Sequence, residues 1–422
     1  FDFELSYEAH GKITEVKSSR AQGVAISVDG QAWTRTRFKE RIQESSLRPP
    51  FPAAVFGYYS GTCERLRKQF RRYGRTYSAK LRGQSDDMEK SFIFSDVDQA
   101  EYVLLALLAN RNGGLLKEIS ILSLDKLKIT VRPGEDYSLE QDEPKFWGAK
   151  GAVLEFLADL DGAAIDAKSV TAMHEGESSV RELSRTYILN QIGLEKVGST
   201  SNSRRGANIS SMLEVLERRS MLVGVDYTLR HIDGFSIFPF SDLSEGEKQL
   251  ISVIGGLSLI GREECLVLLD EPDTHLNPAW TWRYNSLLKG ALDDNSHASS
   301  VALIATHNPV LISGLTREQV LIAHSKSGRL SYERPYRDPR GQGVANVLTS
   351  EFFGLPSSLD EHTQGLIDER LRLAYKDDLS ADDIERLAAI NRELDVLGLS
   401  ISFRDPAYKD YLESKYRSQE AG

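Results

Sequence analysis

The run CLVLLDEPDTHLNPAW, residues 265–280, limits what this chain can fold into more than any other stretch. Five mostly apolar residues lead into a pair of acids, Asp270–Glu271. An apolar run this short, bounded by turn residues, predicts a strand covered on both faces, the kind found in parallel sheets. In such sheets ligands bind beyond the carboxyl ends of the strands, which is where this strand delivers its two acids. Asp270 is suited to holding Mg²⁺, directly or through water, and Glu271 to orienting and polarising an attacking water. The plainer reading is an Asp-Glu-Pro turn after a core strand, and the stretch alone does not separate the two.

Two neighbours shift the balance. Upstream, DLSEGEKQ (242–249) places Ser244 and Gly246 at the start of a helix. Free N–H groups and the dipole favour anions at a helix start, and glycine lets backbone approach a phosphate closely. The same residues read as a capping box, Ser244 with Glu247 three positions on, and both readings can hold at once. Downstream, VALIATHNP puts His307 just past the next strand. A parallel crossover brings two such strand ends to one edge of the sheet. His307 can then reach a γ-phosphate or the attacking water.

The rest of the chain supplies the frame. Residues 1–60 read mostly as β: FDFELSY alternates with period two, KITEVK, GVAISVD and QAWTRTR follow, and AAVFGYYS ends near Ser60. From there the pattern turns helical, with basic CERLRKQFRRYGRTYSAKLR (63–82), apolar DQAEYVLLALLANR (98–111) and amphipathic FWGAKGAVLEFLADL (146–160). LKITV (127–131) is one further strand. The second half alternates strands and helices: YTLRHI, FSIFPF, strand 265–269, a helix from Pro278, VALIA (301–305), a helix at 309–313 and VLIAH (320–324). That order predicts an α/β fold with a parallel sheet covered on both faces. Residues 342–422 read as a helical, acidic tail.

Composition excludes several classes. At 422 residues the chain suits two or three domains. A net charge of −10 argues against a wholly basic nucleic-acid binder without excluding a local basic patch. The two cysteines, Cys63 and Cys265, lack metal-site spacing, and Cys265 reads as core. So few cysteines fit a reducing, cytoplasmic setting. No apolar run approaches the ~20 residues needed to span a bilayer, so no membrane partner is expected.

In this order, LSEGE, LVLLDEPDTHLNP and ATHNP resemble the signature, Walker B with D-loop, and switch-histidine segments of ABC-type ATPases. The SMC-like branch is the nearest in pattern. FGYYSG (56–61) and FWGAKG (146–151) extend the resemblance to the restriction-system-associated and Septu- or retron-associated ATPases of anti-phage defence. The resemblance implies ATP and Mg²⁺ as ligands. It makes Asp270 the metal-associated acid, Glu271 the catalytic base and His307 the switch histidine. Ser244, Gly246 and Glu247 fall in the signature that meets the γ-phosphate held by an opposite subunit. Asp273 begins the D-loop, which crosses a dimer interface. Tyr59 and Ser60 stand where these ATPases carry the Q-loop, although no Gln is present there.

One element of that family is missing. No G-x-x-x-x-G-K-[ST] phosphate loop occurs in the sequence, and GGLLKE (113–118) has no matching frame. The chain opens without Met and with strand alternation, so the expectation is that the loop lies upstream of Phe1. Without that loop the β- and γ-phosphates lose most of their cradle, and this chain is expected to hydrolyse ATP poorly.

Two surfaces suggest partners. In RLRKQFRRYGRTYSAKLR (65–82), Arg71, Arg72 and Arg75 are interleaved with aromatics, a pattern for nucleic-acid contact or for a solvated helix face. The tail 368–398 carries Leu371, Leu373, Leu387 and Leu394 as an apolar stripe, for packing on its own body or for docking an effector such as a nuclease. No nuclease pattern is visible after residue 330.

The resulting expectation has four parts: an antiparallel β part of an ATPase head at 1–60, a mostly helical inserted lobe at 61–222, an α/β ATPase lobe at 223–335, and a helical extension at 336–422. The function expected is an ATPase subunit working as a homodimer or higher oligomer, gating a separate effector in anti-phage defence. The alternatives are a degenerate ATPase scaffold that binds a nuclease or nucleic acid, and a DNA-repair ATPase. The last predicts a long coiled coil, and no heptad run is long enough.

Overall fold

Alternation at the N-terminus becomes a four-stranded antiparallel meander: β1 (Phe3–Ala9), β2 (Lys12–Ser19), β3 (Gly23–Val28) and β4 (Gln31–Trp33). Two of its links are two residues long, His10–Gly11 and Asp29–Gly30, and all four residues take positive φ. That backbone matches the right-handed twist of the strands it joins. The sequence TRTR, read as strand, instead opens helix α1 (Arg35–Gln43). The computed structural model describes residues 2–21, 23–43, 50–61, 67–70, 91–111, 113–134, 145–173, 180–202, 208–260, 264–293, 300–326, 329–376 and 378–399.

Strands β5 (Ala54–Tyr59) and β6 (Phe92–Ser95) belong to a parallel sheet completed far along the chain. Between them and its remaining strands lies a five-stranded antiparallel sheet. It consists of β7 (Ile121–Val131), β8 (Asp166–Met173), β9 (Val180–Leu189), β10 (Leu222–His231) and β11 (Ile237–Pro239), in the order β11-β10-β7-β9-β8. Sequence reading found only LKITV of β7, and the lobe at 61–222 holds β8 and β9 besides its helices. In β9, VRELSRTYIL, polar residues interrupt the apolar ones without a regular period, so the short-range apolar signal is diluted.

The helices of this lobe are α2 (Ala100–Ala109), α3 (Gly113–Glu118), α4 (Gly151–Ala163), α5 (Gln191–Asn202) and α6 (Ile209–Arg218). Helix α2 is apolar nearly all round and is correspondingly buried nearly all round. A Cβ on Gly198 of α5 would come within 2.7 Å of Ala109 Cβ, so the missing side chain permits that close crossing. Sequence GGLLKE is helix α3, with Leu115 and Leu116 in the core, and offers no phosphate cradle.

The parallel sheet is completed by β12 (Cys265–Asp270) and β13 (Val301–Ala305), giving the order β13-β12-β5-β6. AAVFGYYS therefore does not close the N-terminal antiparallel part; it lies beside the strand that carries the acids. Complete burial of Ala54, Phe56 and Tyr58 explains why: this strand needs cover on both faces. Cys265 is a buried core thiol, as read from its apolar run. His10 and Glu264 tie the meander to the start of β12, Nδ1 to Oε2 at 2.7 Å.

The chain divides into two units, Phe1–Leu311 and Ile312–Gly422. In the second, VLIAH contributes to β14 (Ile322–Lys326), which pairs antiparallel with β15 (Arg329–Glu333) and does not join the parallel sheet. Only two residues separate β14 from β15, and a parallel partner would need a crossover of about a dozen or more. The exposed face of Leu330 and Tyr332 also lacks the two-sided cover a parallel strand requires. The tail helices follow as α10 (Glu361–Ala374) and α11 (Ala381–Val396), after α9 (Gly343–Thr349). Leu373 and Leu394 of the expected stripe are buried with Leu366 and Ile390, whereas Leu371 is 45% exposed and stands outside it.

One buried acid makes stability depend on pH. Glu101 on α2 lies in a desolvated setting facing Asp226 and Glu217, and its pKa is pushed up to about 7 from 4.5. The folded state thus holds a proton that the unfolded chain releases. Stability falls as pH rises from 4.5 to 7 and that contribution is gone above 7. Glu101→Gln should flatten this stretch of a denaturation-midpoint-against-pH curve; an unchanged slope would remove Glu101 as its source.

Candidate functional site

The strand ends meet where the parallel register places them. Tyr59 of β5, Asp270 of β12 and Ala305 of β13 form one row across the sheet. Beyond that row the chain turns sharply at Glu271, whose φ is +52°. A non-glycine residue pays of order 1–2 kcal/mol for this left-handed backbone. Its N–H is bound to the Ala305 carbonyl at 2.8 Å, which fixes the turn. The side chain then meets His307, Oε2 lying 2.7 Å from Nδ1.

That contact sets the charges. The Glu271 carboxylate raises the His307 pKa above its ordinary 6.5, favouring an imidazolium–carboxylate pair. Glu271 Oε2 is itself buried at this contact with His307. Asp270 beside it is pushed up by burial first and by the Glu271 charge second. Two adjacent acids therefore share a site with one partial counter-charge.

The turn after Glu271 is cross-braced. Thr274 Oγ1 donates to the Glu271 carbonyl at 2.9 Å and lies 3.1 Å from Ser60 Oγ. Asp273 is buried and accepts from Thr306 Oγ1 at 3.0 Å. Thr306 Oγ1 in turn accepts the Asn308 N–H at 3.0 Å. Asn277 then caps helix α8 (Pro278–Asp293) by accepting the Trp280 N–H, with Pro278 at the first helical position, where its missing N–H costs nothing. Its sixteen residues pack Tyr284 and Leu288 into the core.

Ser244 caps helix α7 (Glu245–Leu250), which passes through a π-helical turn (Ile251–Gly255) into Gly256–Ser258. Its cap is reciprocal: Ser244 Oγ accepts the Glu247 N–H at 3.3 Å, and the Glu247 carboxylate accepts from Ser244 N at 2.7 Å and Oγ at 2.8 Å. Such a cap contributes about 1 kcal/mol. Ser244 is exposed, while Gly246 is buried against the backbone of His275. An anion arriving at Ser244 therefore meets a hydroxyl already engaged by a carboxylate, which has to be displaced first.

The family described as "AAA domain, putative AbiEii toxin, Type IV TA system" matches residues 85–313, more than half of the chain and all of the segments just described except Tyr59 and Ser60 of β5 and its end. The chain belongs to this AAA-domain family. It is also similar to a Septu protein and a retron ATPase. Septu protein PtuA of Bacillus mycoides (strain KBAB4) is 28% identical over 166 residues, 36% of this chain and 23% of its own length. The "Retron Vc95 probable ATPase" of Vibrio cholerae serotype O1 biovar El Tor is 27% identical over 118 residues, 25% of this chain and 22% of its own. This AAA-domain chain thus spans under a quarter of the length of either relative. Among solved structures, a SmcHead bound to the C-winged helix domain of ScpA is 10% identical, with TM-score 0.29, over 77% of this chain and 68% of its own. The resemblance to Septu- and retron-associated ATPases thus agrees with the family and with these two relatives.

In this AAA-domain chain, Asp270, Glu271, Asp273, Ser60 and His307 come together at one sheet edge. Ser244 and Glu247 are joined to each other by their cap. The Tyr59 ring lies over Gly61, where a Cβ would approach its hydroxyl to 2.3 Å. Arg71, Arg72 and Arg75 lie outside the described residues. Of the same basic stretch, Arg67 pairs with Asp96 and Asp98, and Phe70 packs against Phe92, Phe94 and Gly57. Phe70 is therefore committed to packing and does not stand free for a base. Sequence reading missed Thr274, Thr306 and Gln249, whose hydroxyls and amide brace the acids. Only Gln249 left a signal, a polar residue entering the apolar run QLISVIGG.

A Mg²⁺ ion fits the donors present. Mg²⁺ binds through one or two carboxylates plus substrate phosphates, so Asp270 at the end of β12 would suffice without a larger cluster. Among the described residues no group of three or more metal-ligating side chains occurs, and no helix is long and apolar enough to cross a membrane.

Proposed function

We propose that this chain is the ATPase subunit of a defence-type assembly, binding Mg·ATP at the edge formed by the ends of β5, β12 and β13. The observation that carries this reading is Glu271, held in a left-handed turn with its buried Oε2 2.7 Å from His307 Nδ1. A carboxylate so fixed is preorganised to take a proton from water as the water oxygen bonds to phosphorus and the bond to the β-phosphate oxygen breaks. His307 shares Glu271 with that water and presents its ring to the γ-phosphate. Asp270 holds Mg²⁺, which supplies charge neutralisation to the transferred phosphoryl group.

Ser244 completes the site from a second copy of the chain, with Gly246 buried behind it against His275 and Asp273 near the interface. The family resemblance supports that assignment, as does the exposure of Ser244. Closure of two copies around nucleotide then gates a separate effector, and hydrolysis resets it. Sedimentation of the protein with ATP, with and without Mg²⁺, tests this. Mg·ATP should drive self-association, and Asp270→Asn should abolish the Mg²⁺ requirement's benefit; association indifferent to both would overturn the reading.

A second reading is favoured by one specific observation. The 422 residues contain no G-x-x-x-x-G-K-[ST], and the nearest candidate is helix α3. On this reading the chain is a scaffold for a nuclease or nucleic acid. Turnover by this chain alone should stay below ~1 s⁻¹ at saturating ATP, the low end of ordinary enzymes. A faster rate would show that another element supplies the phosphate cradle.

A further inference from the structure

Between Ser244 and Glu271 lies a contact that the roles above leave unexplained. Helix α7 grips the peptide of His275 from two sides. The His275 N–H donates to Gln249 Oε1 at 3.1 Å. Its carbonyl oxygen faces Gly246 so closely that a Cβ there would stand 2.7 Å away. Gln249 is fully buried, and its side chain also meets the Tyr58 phenol on the neighbouring β5. A buried amide needs its hydrogen bonds, so the bond to His275 is costly to lose.

From His275 the bracing runs without slack. Leu276 N–H returns to the Asp273 carbonyl at 3.1 Å, Asp273 is held by Thr306, and Thr274 is held to the Glu271 carbonyl. A shift of α7 at Gly246 is therefore passed to Glu271 through hydrogen bonds and van der Waals contact. The π-helical turn immediately after Leu250 separates α7 from the following helix, and such turns mark places where a helix changes register.

We propose that Gln249 and Gly246 clamp the His275 peptide, so that the phosphate-facing segment 243–247 and the turn 271–276 move as one body. Gln249 is then a positioning residue for Glu271 and Asp273. The clamp stands on geometry; only its consequence for turnover rests on the function proposed above.

Hydrogen–deuterium exchange of the 422-residue chain, without nucleotide, tests the clamp. Gln249→Met keeps the volume and removes the acceptor, while Gln249→Glu keeps an acceptor oxygen. Loss of one hydrogen bond in the Met variant should speed exchange of the peptide spanning 271–277 about tenfold. The Glu variant should return toward wild type, and β7 should exchange unchanged in both. Gly246→Ala should speed the same peptide with Gln249 intact, since the added methyl drives the His275 carbonyl away.

Wild-type exchange at 271–277 in both the Met and Ala variants would overturn the clamp. So would an equal rise in β7, or a Glu variant no better than the Met variant. In an assembly that hydrolyses ATP, Gln249→Met should lower kcat with KM for ATP unchanged. Altered exchange with unaltered kcat would overturn the positioning role. A wild-type assembly without ATP turnover would overturn the proposed function and leave the exchange result standing.

Discussion

In an assembly that hydrolyses ATP, Glu271→Gln is expected to lower turnover by about 10²–10⁴-fold, the contribution of a positioned general base, while preserving ATP-driven self-association. The substitution keeps the size of the side chain and its place at the end of β12. It removes the negative charge that accepts a proton and that raises the His307 pKa. Two measurements therefore move together. In the wild type the His307–Glu271 pair holds while Glu271 is ionised and His307 protonated, and it is lost as pH rises through the raised His307 value. In the variant that titration should move down toward 6.5, read from the ring protons of His307 by NMR. A rate within threefold of wild type would remove Glu271 as the base. An unmoved His307 titration would mean that the pair seen here does not persist in solution.

Phe56→Ala should cost about 3–5 kcal/mol, the range for truncating a buried aromatic. Phe56 is fully buried at the middle of β5, in register with Val267 of β12. Its ring lies against Gly256, where even a Cβ would stand 3.3 Å away. Neighbours this closely fixed cannot collapse into the space left behind, so the cavity persists. The urea midpoint should fall while the slope stays constant, since the surface exposed on unfolding hardly changes. A loss below 1 kcal/mol would show that the sheet repacks. Because β5 carries Ser60 to Asp270, the same variant should also loosen the Ser60–Thr274 contact.

Much of the site was legible because its signals are local. A strand buried on both faces must be apolar along its length, so CLVLL ending in two acids marks both the strand and its functional end. Asn and Pro before a helix are equally local, and Pro278 opens α8 as read. Two strands of the five-stranded sheet, β8 and β9, were missed because polar and charged side chains interrupt their apolar residues, whereas LKITV, YTLRHI and FSIFPF marked β7, β10 and β11. VLIAH was misplaced for a related reason. Its apolar residues suggest a central strand, but its pairing was decided by the short link to β15.

Sequence by itself determined the chemistry available: Asp270–Glu271 after an apolar strand, His307 after the next, Ser244 with Glu247 as a cap, and no phosphate loop among 422 residues. Tertiary structure decided how those groups act on one another. It placed β5 beside β12, turned Glu271 onto His307, buried Asp273 under Thr306, and fastened α7 to His275 through Gln249. These contacts join residues far apart in the chain. Local propensity cannot specify them, because they follow from parallel register and from which side chains the core has room to bury.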